Sequence, residues 1–218
     1  MEYQTLLYDC TMKLPDEIWT SKDVDIMIKT LQESNQYLKN IWGEWMRARD
    51  MLIVKMMFEH ALRPRELLCM RFEDIDLRKK TIKIRGENNK VRKDRLLPIN
   101  EKISDLFINY FKFPRWIWKG SEYLFPSFVN EYLSSGRWKH IFREKVLKPS
   151  GLWKKPEKPC LCKTRSYTLR HSKATELINK TDIWMVANIL GHADIRSTKP
   201  YLHLNKELFE NMRAAINK

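Results

Sequence analysis

Residues 81–85 read Thr-Ile-Lys-Ile-Arg, apolar and polar by turns. Strict alternation puts successive side chains on opposite faces of an extended strand, and it interrupts the helical spacing that surrounds it. A second extended run passes through Leu96 and Leu97 to Pro98, and Gly86-Glu87-Asn88-Asn89 between the two supplies turn chemistry. The pattern predicts a β-hairpin and leaves room for a third strand before it, near Ile75. One small sheet among helical segments makes the fold mainly α with a small antiparallel β-sheet, an α+β class.

The helical segments follow from spacing and punctuation. Thr20 or Ser21 is an N-cap for a helix carrying Val24, Ile26, Met27, Ile28 and Leu31. Residues 47–60, RARDMLIVKMMFEH, are apolar enough to be a buried helix. Pro64 suits the first turn of a new helix over 65–70. Asn100 caps a helix to about Tyr110, residues 113–128 are aromatic and Pro-punctuated loop, and Ser134 or Ser135 opens a helix to about Leu147. A long basic connection follows at 148–166. Helices resume at 168–178, then Asp182 caps 183–190 and Gly191 ends it, with a final helix at 206–216. Met56, Met57, Trp42, Trp45 and Trp184 are expected in the core.

An apolar fraction of 43% in 218 residues supports one packed domain rather than a disordered chain. No window approaches the roughly 18 consecutive apolar residues of a membrane span. Glu2, Asp9 and Lys13 break up the N-terminal residues, so these do not read as a signal peptide. A cytoplasmic location is the expectation. Lys and Arg number 41 against 27 Asp and Glu, a net charge of +14. Such a surplus repels itself and calls for a polyanionic partner, nucleic acid first. Nine Lys and Arg fall in residues 78–95 and ten in 137–165. Cys10, Cys69, Cys160 and Cys162 fit free thiols in a reducing compartment. The single residue between Cys160 and Cys162, with no second pair, is poor spacing for zinc.

Three further segments carry chemistry. In Ala61-Leu62-Arg63-Pro64-Arg65-Glu66-Leu67 an arginine sits between two apolar helices, where it must be paired or serve a ligand. In Tyr167-Thr168-Leu169-Arg170-His171-Ser172 an arginine at an expected helix start would lie beside free backbone donors, a setting for an anion. Leu190-Gly191-His192-Ala193-Asp194 is followed by Tyr201, nine residues after the histidine.

Taken in order, these segments resemble the catalytic domain of the tyrosine recombinases, the phage integrase and Xer-like family. Arg63, Glu66 and Leu67 match the family's first box, and Arg170 with His171 part of its second. Leu190, Gly191, His192, Tyr201 and His203 match its Leu-Gly-His and terminal Tyr-x-His. Lys90-Val91-Arg92-Lys93-Asp94-Arg95 before Leu96-Leu97-Pro98 fits the hairpin lysine pattern, with Lys90 as the match and Lys93 as the fallback. Tyr167 departs from the family, which usually has His there. A phenol is a poor base at neutral pH, so Tyr167 is given a phosphate-binding role.

The resemblance implies metal- and cofactor-independent cleavage and rejoining of double-stranded DNA. Tyr201 would be the nucleophile, and Arg63, Arg170 and His192 would stabilise the charged transition state. Lys90 would protonate the expelled deoxyribose oxygen. His171 is expected to support the site through hydrogen bonds. A homo-oligomer on DNA, tetrameric at synapsis, and no membrane are implied as well. The resemblance covers about residues 20–215, and the organisation expected from it is a catalytic domain at 20–218 after an arm at 1–19, without a separate core-binding domain, in length like the fimbrial-switch recombinases. The alternative is a DNA-binding regulator of the same fold with weak or no catalysis.

Overall fold

The structure is a computed structural model that describes residues 18–153, 165–198 and 201. The arm up to residue 17, most of the long basic connection, Cys10, Cys160, Cys162, His203 and the expected final helix lie outside the described residues.

Helix α1, Ser21–Glu33, is capped by Thr20 rather than Ser21. The Thr20 hydroxyl accepts from the Asp23 amide at 3.3 Å and the Asp23 carboxylate accepts from the Thr20 amide at 2.7 Å, a reciprocal box. Val24, Met27 and Leu31 turn inward at helical spacing, whereas Ile26 stays exposed. Helix α2, Ile41–Glu59, begins six residues before the expected start. Asn40 explains the difference, because its side chain accepts from the Gly43 amide at 3.0 Å and opens the helix ahead of the apolar run. Leu52, Ile53, Val54, Met56, Met57 and Phe58 are all buried, so α2 is the central helix, and the charged residues buried with them are paired, Lys55 with Asp25 and Arg49 with Asp50.

Helix α3 is Pro64–Leu68. Strands β1 (Ile75–Asp76), β2 (Thr81–Ile84) and β3 (Arg95–Pro98) form the expected sheet, antiparallel in the order β1-β2-β3. Ile82 pairs with Leu97 and Ile84 with Arg95, so Ile82, Ile84 and Leu97 face the core. The β2–β3 connection is held shut from inside. The Asp94 carboxylate accepts from the Gly86 amide at 2.7 Å, and Asn89 donates to the Arg85 and Lys93 carbonyls.

Helix α4, Glu101–Phe111, is capped by Asn100. Helix α5, Ser135–Ile141, is capped by Ser134 and continues as a π-helical stretch, Phe142–Leu147, where one regular helix was expected. Helix α6, Arg165–Ile178, starts three residues before the expected boundary. Arg170 is therefore its sixth residue, beyond the free amides of the first turn, and the expected anion site at a helix start is corrected. Helix α7, Ile183–Leu190, runs from an Asp182 cap to Gly191 as expected.

One large core joins α1 to α5 with the sheet and reaches Leu169 of α6. A second, small apolar cluster holds Ala61, Ala174, Ile178, Val186, Leu190 and Tyr201. Trp45, Met56 and Met57 are buried, and Trp42 packs edge-on to Trp45 at the margin. Trp184, expected in the core, is 67% exposed, because Val186 and Leu190 form the buried face of α7 and Trp184 lies off it. Among the described residues no helix is long and apolar enough to cross a membrane.

Candidate active site

The site forms where α2 ends, α3 begins and α7 ends. Ala61 adopts a left-handed conformation, φ 49°, just after α2. For a residue with a Cβ this conformation costs about 1–2 kcal/mol. The reversal turns the Ala61 carbonyl toward Arg170, whose Nη1 donates to it at 2.6 Å. Arg170 Nη2 donates to the Leu190 carbonyl at 2.8 Å, and Arg63 Nη1 donates to that same oxygen at 3.3 Å. The last carbonyls of a helix lack intrahelical donors and carry its negative end, so two guanidinium groups converge there for a physical reason.

Glu66 neutralises part of this charge. It is 2% exposed and accepts from Arg63 Nη1 at 2.9 Å and from the Arg63 amide at 3.0 Å. Arg95 grips both its oxygens, at 3.2 and 3.0 Å, and Arg170 Nη1 lies 3.9 Å away. Burial pulls the Glu66 pKa upward, but hydrogen bonds and charge from Arg95, helped by Arg170 and the Arg63 amide, outweigh it and hold the carboxyl below its usual range. Arg170 is 1% exposed. Burial first, then the charge of Arg63, push its pKa down to about 10 against the pull of Glu66, and it remains charged at neutral pH.

His192 completes the cluster. Its Nε2 lies 3.2 Å from Arg170 Nη2 and its Nδ1 2.7 Å from the Thr198 hydroxyl. A guanidinium only donates, so Nε2 accepts and the ring proton sits on Nδ1, donated to Thr198. Burial, then the charges of Arg170, Arg63 and Arg95, push the His192 pKa down to about 4, and the ring is neutral at pH 7. His192 thus links Arg170 to Thr198.

Tyr201 packs its ring in the small apolar cluster that also holds Leu190. Its hydroxyl meets His171 Nδ1 at 2.7 Å. Burial pushes the phenol up to about 12, against the charges of Arg170 and Arg63, so it keeps its proton at neutral pH. Tyr167 lies one turn before His171 on α6, its ring edge-on at 5.0 Å between centroids.

Of the six candidate residues, Arg63 and Arg170 share the Leu190 carbonyl, His192 bonds Arg170, and Tyr201 packs in the apolar cluster that holds Leu190. Tyr167 reaches the site through the His171 ring. Lys90 stays apart, exposed on the β2–β3 connection, with no hydrogen bond or ion pair among the described residues; Lys93 beside it is exposed too. Sequence reasoning gave no role to Arg95, whereas His171, expected to support the site through hydrogen bonds, meets the Tyr201 hydroxyl.

Gly191 ties the hairpin to this cluster. It caps α7 at φ 61°, and a Cβ there would stand 2.6 Å from Arg95 Nη1. Gly191→Ala is expected to cost about 1–2 kcal/mol in urea unfolding through the left-handed backbone, and to push Arg95 off Glu66. An unchanged midpoint would show that neither strain nor collision operates.

A helical domain with a three-stranded hairpin sheet, and with this cluster at its helix ends, has the fold of integrase catalytic domains. It is similar to the crystal structure of XerA recombinase, with a TM-score of 0.68 at 22% identity, covering 95% of this chain and 65% of that one. It is also similar to the catalytic domain of bacteriophage HP1 integrase, with a TM-score of 0.57 at 18% identity, covering 88% and 90%. The sequence profile of the phage integrase family matches residues 18–207. The chain belongs to the phage integrase family. It is 27% identical over 205 residues to the tyrosine recombinase XerD of Staphylococcus haemolyticus and 32% identical over 178 residues to a tyrosine recombinase of Pseudothermotoga lettingae. These alignments take in 92% and 78% of this chain, and 62% and 54% of those relatives.

Proposed function

We propose that the chain is a site-specific DNA recombinase or integrase that cuts and rejoins strands through a covalent link to Tyr201. The observation that carries this reading is the meeting of Arg63 and Arg170 at the Leu190 carbonyl, with His192 bonded to Arg170 and Tyr201 packed in the apolar cluster that holds Leu190. Attack on a phosphodiester spreads negative charge over its nonbridging oxygens, and permanently charged planar donors stabilise that charge best. The Tyr201 oxygen bonds to phosphorus as the deoxyribose oxygen departs, and Lys90, on the hairpin connection, gives that oxygen its proton. Tyr167 contributes to binding. Attack by a hydroxyl of another strand on the phosphotyrosine completes exchange, with two pairs of protomers across two sites, in the cytoplasm, and with no metal or cofactor in the reaction.

Ion pairing inside the protein decides which cations are available to DNA. Of the nine Lys and Arg in residues 78–95, five pair with acids: Lys79 with Asp76, Lys80 with Glu101, Lys83 with Asp94, Arg85 with Asp74, and Arg95 with Glu66. Arg78, Lys90, Arg92 and Lys93 carry no ion pair among the described residues and are exposed. An interface with roughly six to ten phosphate contacts loses about 10³–10⁵ in affinity between 50 and 200 mM salt. Replacing Arg92 and Lys93 together by Ala should lower the salt slope by about two. Fluorescence anisotropy on duplex DNA reads both, and a flat salt response would contradict a phosphate-dominated interface.

The deciding experiment uses duplexes drawn from the DNA flanking the gene, nicked so that the short cleaved fragment diffuses away. A protein–DNA band on a denaturing gel supports the recombinase reading. Salt-dependent binding with no such band on any flanking duplex supports the binding-only regulator.

A further inference from the structure

We propose that His171 is a catalytic residue, the base that receives the Tyr201 hydroxyl proton as the phenol attacks DNA. The inference rests on the recombinase reading and assigns the group that activates its nucleophile. A protonated phenol attacks poorly, so the proton must leave as the new bond forms.

Geometry singles out His171. Its Nδ1 lies 2.7 Å from the Tyr201 oxygen, within the reach required of a base in direct contact. The two rings are 5.7 Å apart between centroids. Among the described residues the other histidines are otherwise placed. His192 has its Nε2 on Arg170 and its Nδ1 on Thr198. His60 bonds the Pro98 carbonyl through Nε2, at the far end of β3. His140 is an exposed residue of α5. Tyr167, at the position where the family usually carries histidine, makes no hydrogen bond to Tyr201 among the described residues, and a phenol is a poor proton acceptor.

What Tyr167 does instead fits the assignment. It sits four residues before His171 on α6, so the two side chains share one face. Its ring meets the imidazole at 5.0 Å and 63°. An aromatic ring packed at that distance restricts how the imidazole can turn. Tyr167 is thus a positioning residue for His171, and the pair does the work that the family's histidine would be asked to do alone.

The Tyr201 oxygen forms a bond to phosphorus, and the phosphorus–deoxyribose oxygen bond breaks with its electron pair on the departing oxygen. The Tyr201 proton moves to His171 Nδ1, giving an imidazolium. The departing oxygen takes a proton from the Lys90 ammonium. Rejoining runs the transfers backwards, with a strand hydroxyl giving up its proton and Tyr201 regaining the one held by His171.

The test compares the parent protein with His171→Asn on the same nicked duplex, each with ordinary tyrosine and with ring-fluorinated tyrosine at position 201. Asn keeps a hydrogen-bond acceptor in place of Nδ1 but does not take a proton. Fluorination makes the phenol more acidic and less dependent on a base. With ordinary tyrosine, His171→Asn is expected to slow adduct formation by about 10²–10⁴, the usual contribution of a positioned base, with DNA affinity unchanged. Fluorinated tyrosine is expected to restore at least about tenfold of that rate in the variant and to change the parent little. Adduct formation by His171→Asn at the parent rate overturns the proposal, as does a defect that the fluorinated phenol leaves untouched, since a purely structural role gives that result. Should His171→Asn fail to fold by circular dichroism, His171→Gln takes its place under the same two criteria. A parent protein that forms no adduct removes the recombinase reading itself, whereas a failure confined to His171 leaves that reading standing.

Discussion

Tyr201→Phe should bind duplex DNA as the parent protein does and form no covalent adduct with it. The substitution removes one oxygen and nothing else. The ring stays in its cluster with Ala61, Ala174, Ile178, Val186 and Leu190, so the apolar burial is kept. The hydrogen bond to His171 is lost, at about 1 kcal/mol. The charge the protein presents to DNA is unchanged at pH 7, because burial has pushed the phenol up to about 12 and it is neutral in the parent. Binding and folding are therefore insulated from the change, and chemistry is not. Loss of a covalent nucleophile costs on the order of 10⁶-fold in rate, below what a gel detects. Anisotropy at matched salt measures the binding arm, and a denaturing gel with peptide mapping measures the other. An adduct that persists in the Phe variant takes Tyr201 out of its role, and the peptide carrying the nucleotide then identifies the true nucleophile.

The sequence revealed what local chemistry decides. Alternation over 81–85 located the sheet, and Thr20, Asn100, Ser134 and Asp182 marked helix starts because each serves its own neighbouring amides. It failed where a cap preceded the apolar signal, as at Asn40, and where a helix widened without any Gly or Pro to mark it, as at 142–147. Arg63, Arg170, His192 and Tyr201 were legible because each lies in a short run with its own residue pattern. The contacts that make them a site were not. Glu66 meets Arg95 across 29 residues, and His171 meets Tyr201 across 30. Nothing local in either segment specifies such a partner. His171 follows Arg170 directly, but one residue apart on a helix the two project about 100° apart, and only the folded chain shows that His171 meets Tyr201.

That long-range pairing is why Glu66→Gln should be the most damaging single change outside the nucleophile. Glu66 is the one carboxylate facing Arg63, Arg95 and Arg170 within 4 Å among the described residues. Gln keeps the volume, removes the charge, and turns an accepting oxygen into an amide that faces donors. Three guanidinium groups are then left with uncompensated charge around a buried position, and breaking a buried pair in this way costs about 3–5 kcal/mol. Urea unfolding at pH 7 should show that loss. Its pH dependence has a fixed sign. The Glu66 carboxyl is held below its usual range in the folded protein, so its contribution is complete above the unfolded carboxylate pKa and disappears as pH falls through the lower folded value. The gap between parent and variant should therefore narrow in acid. Duplex DNA at 50 mM salt should in turn raise the variant's midpoint more than the parent's, because an anion bound at these arginines replaces the missing charge and binds only the folded state. A variant within 1 kcal/mol of the parent at pH 7 would mean that the arginines do not depend on Glu66. A midpoint that DNA raises equally in both proteins would mean that the phosphate does not sit on this cluster.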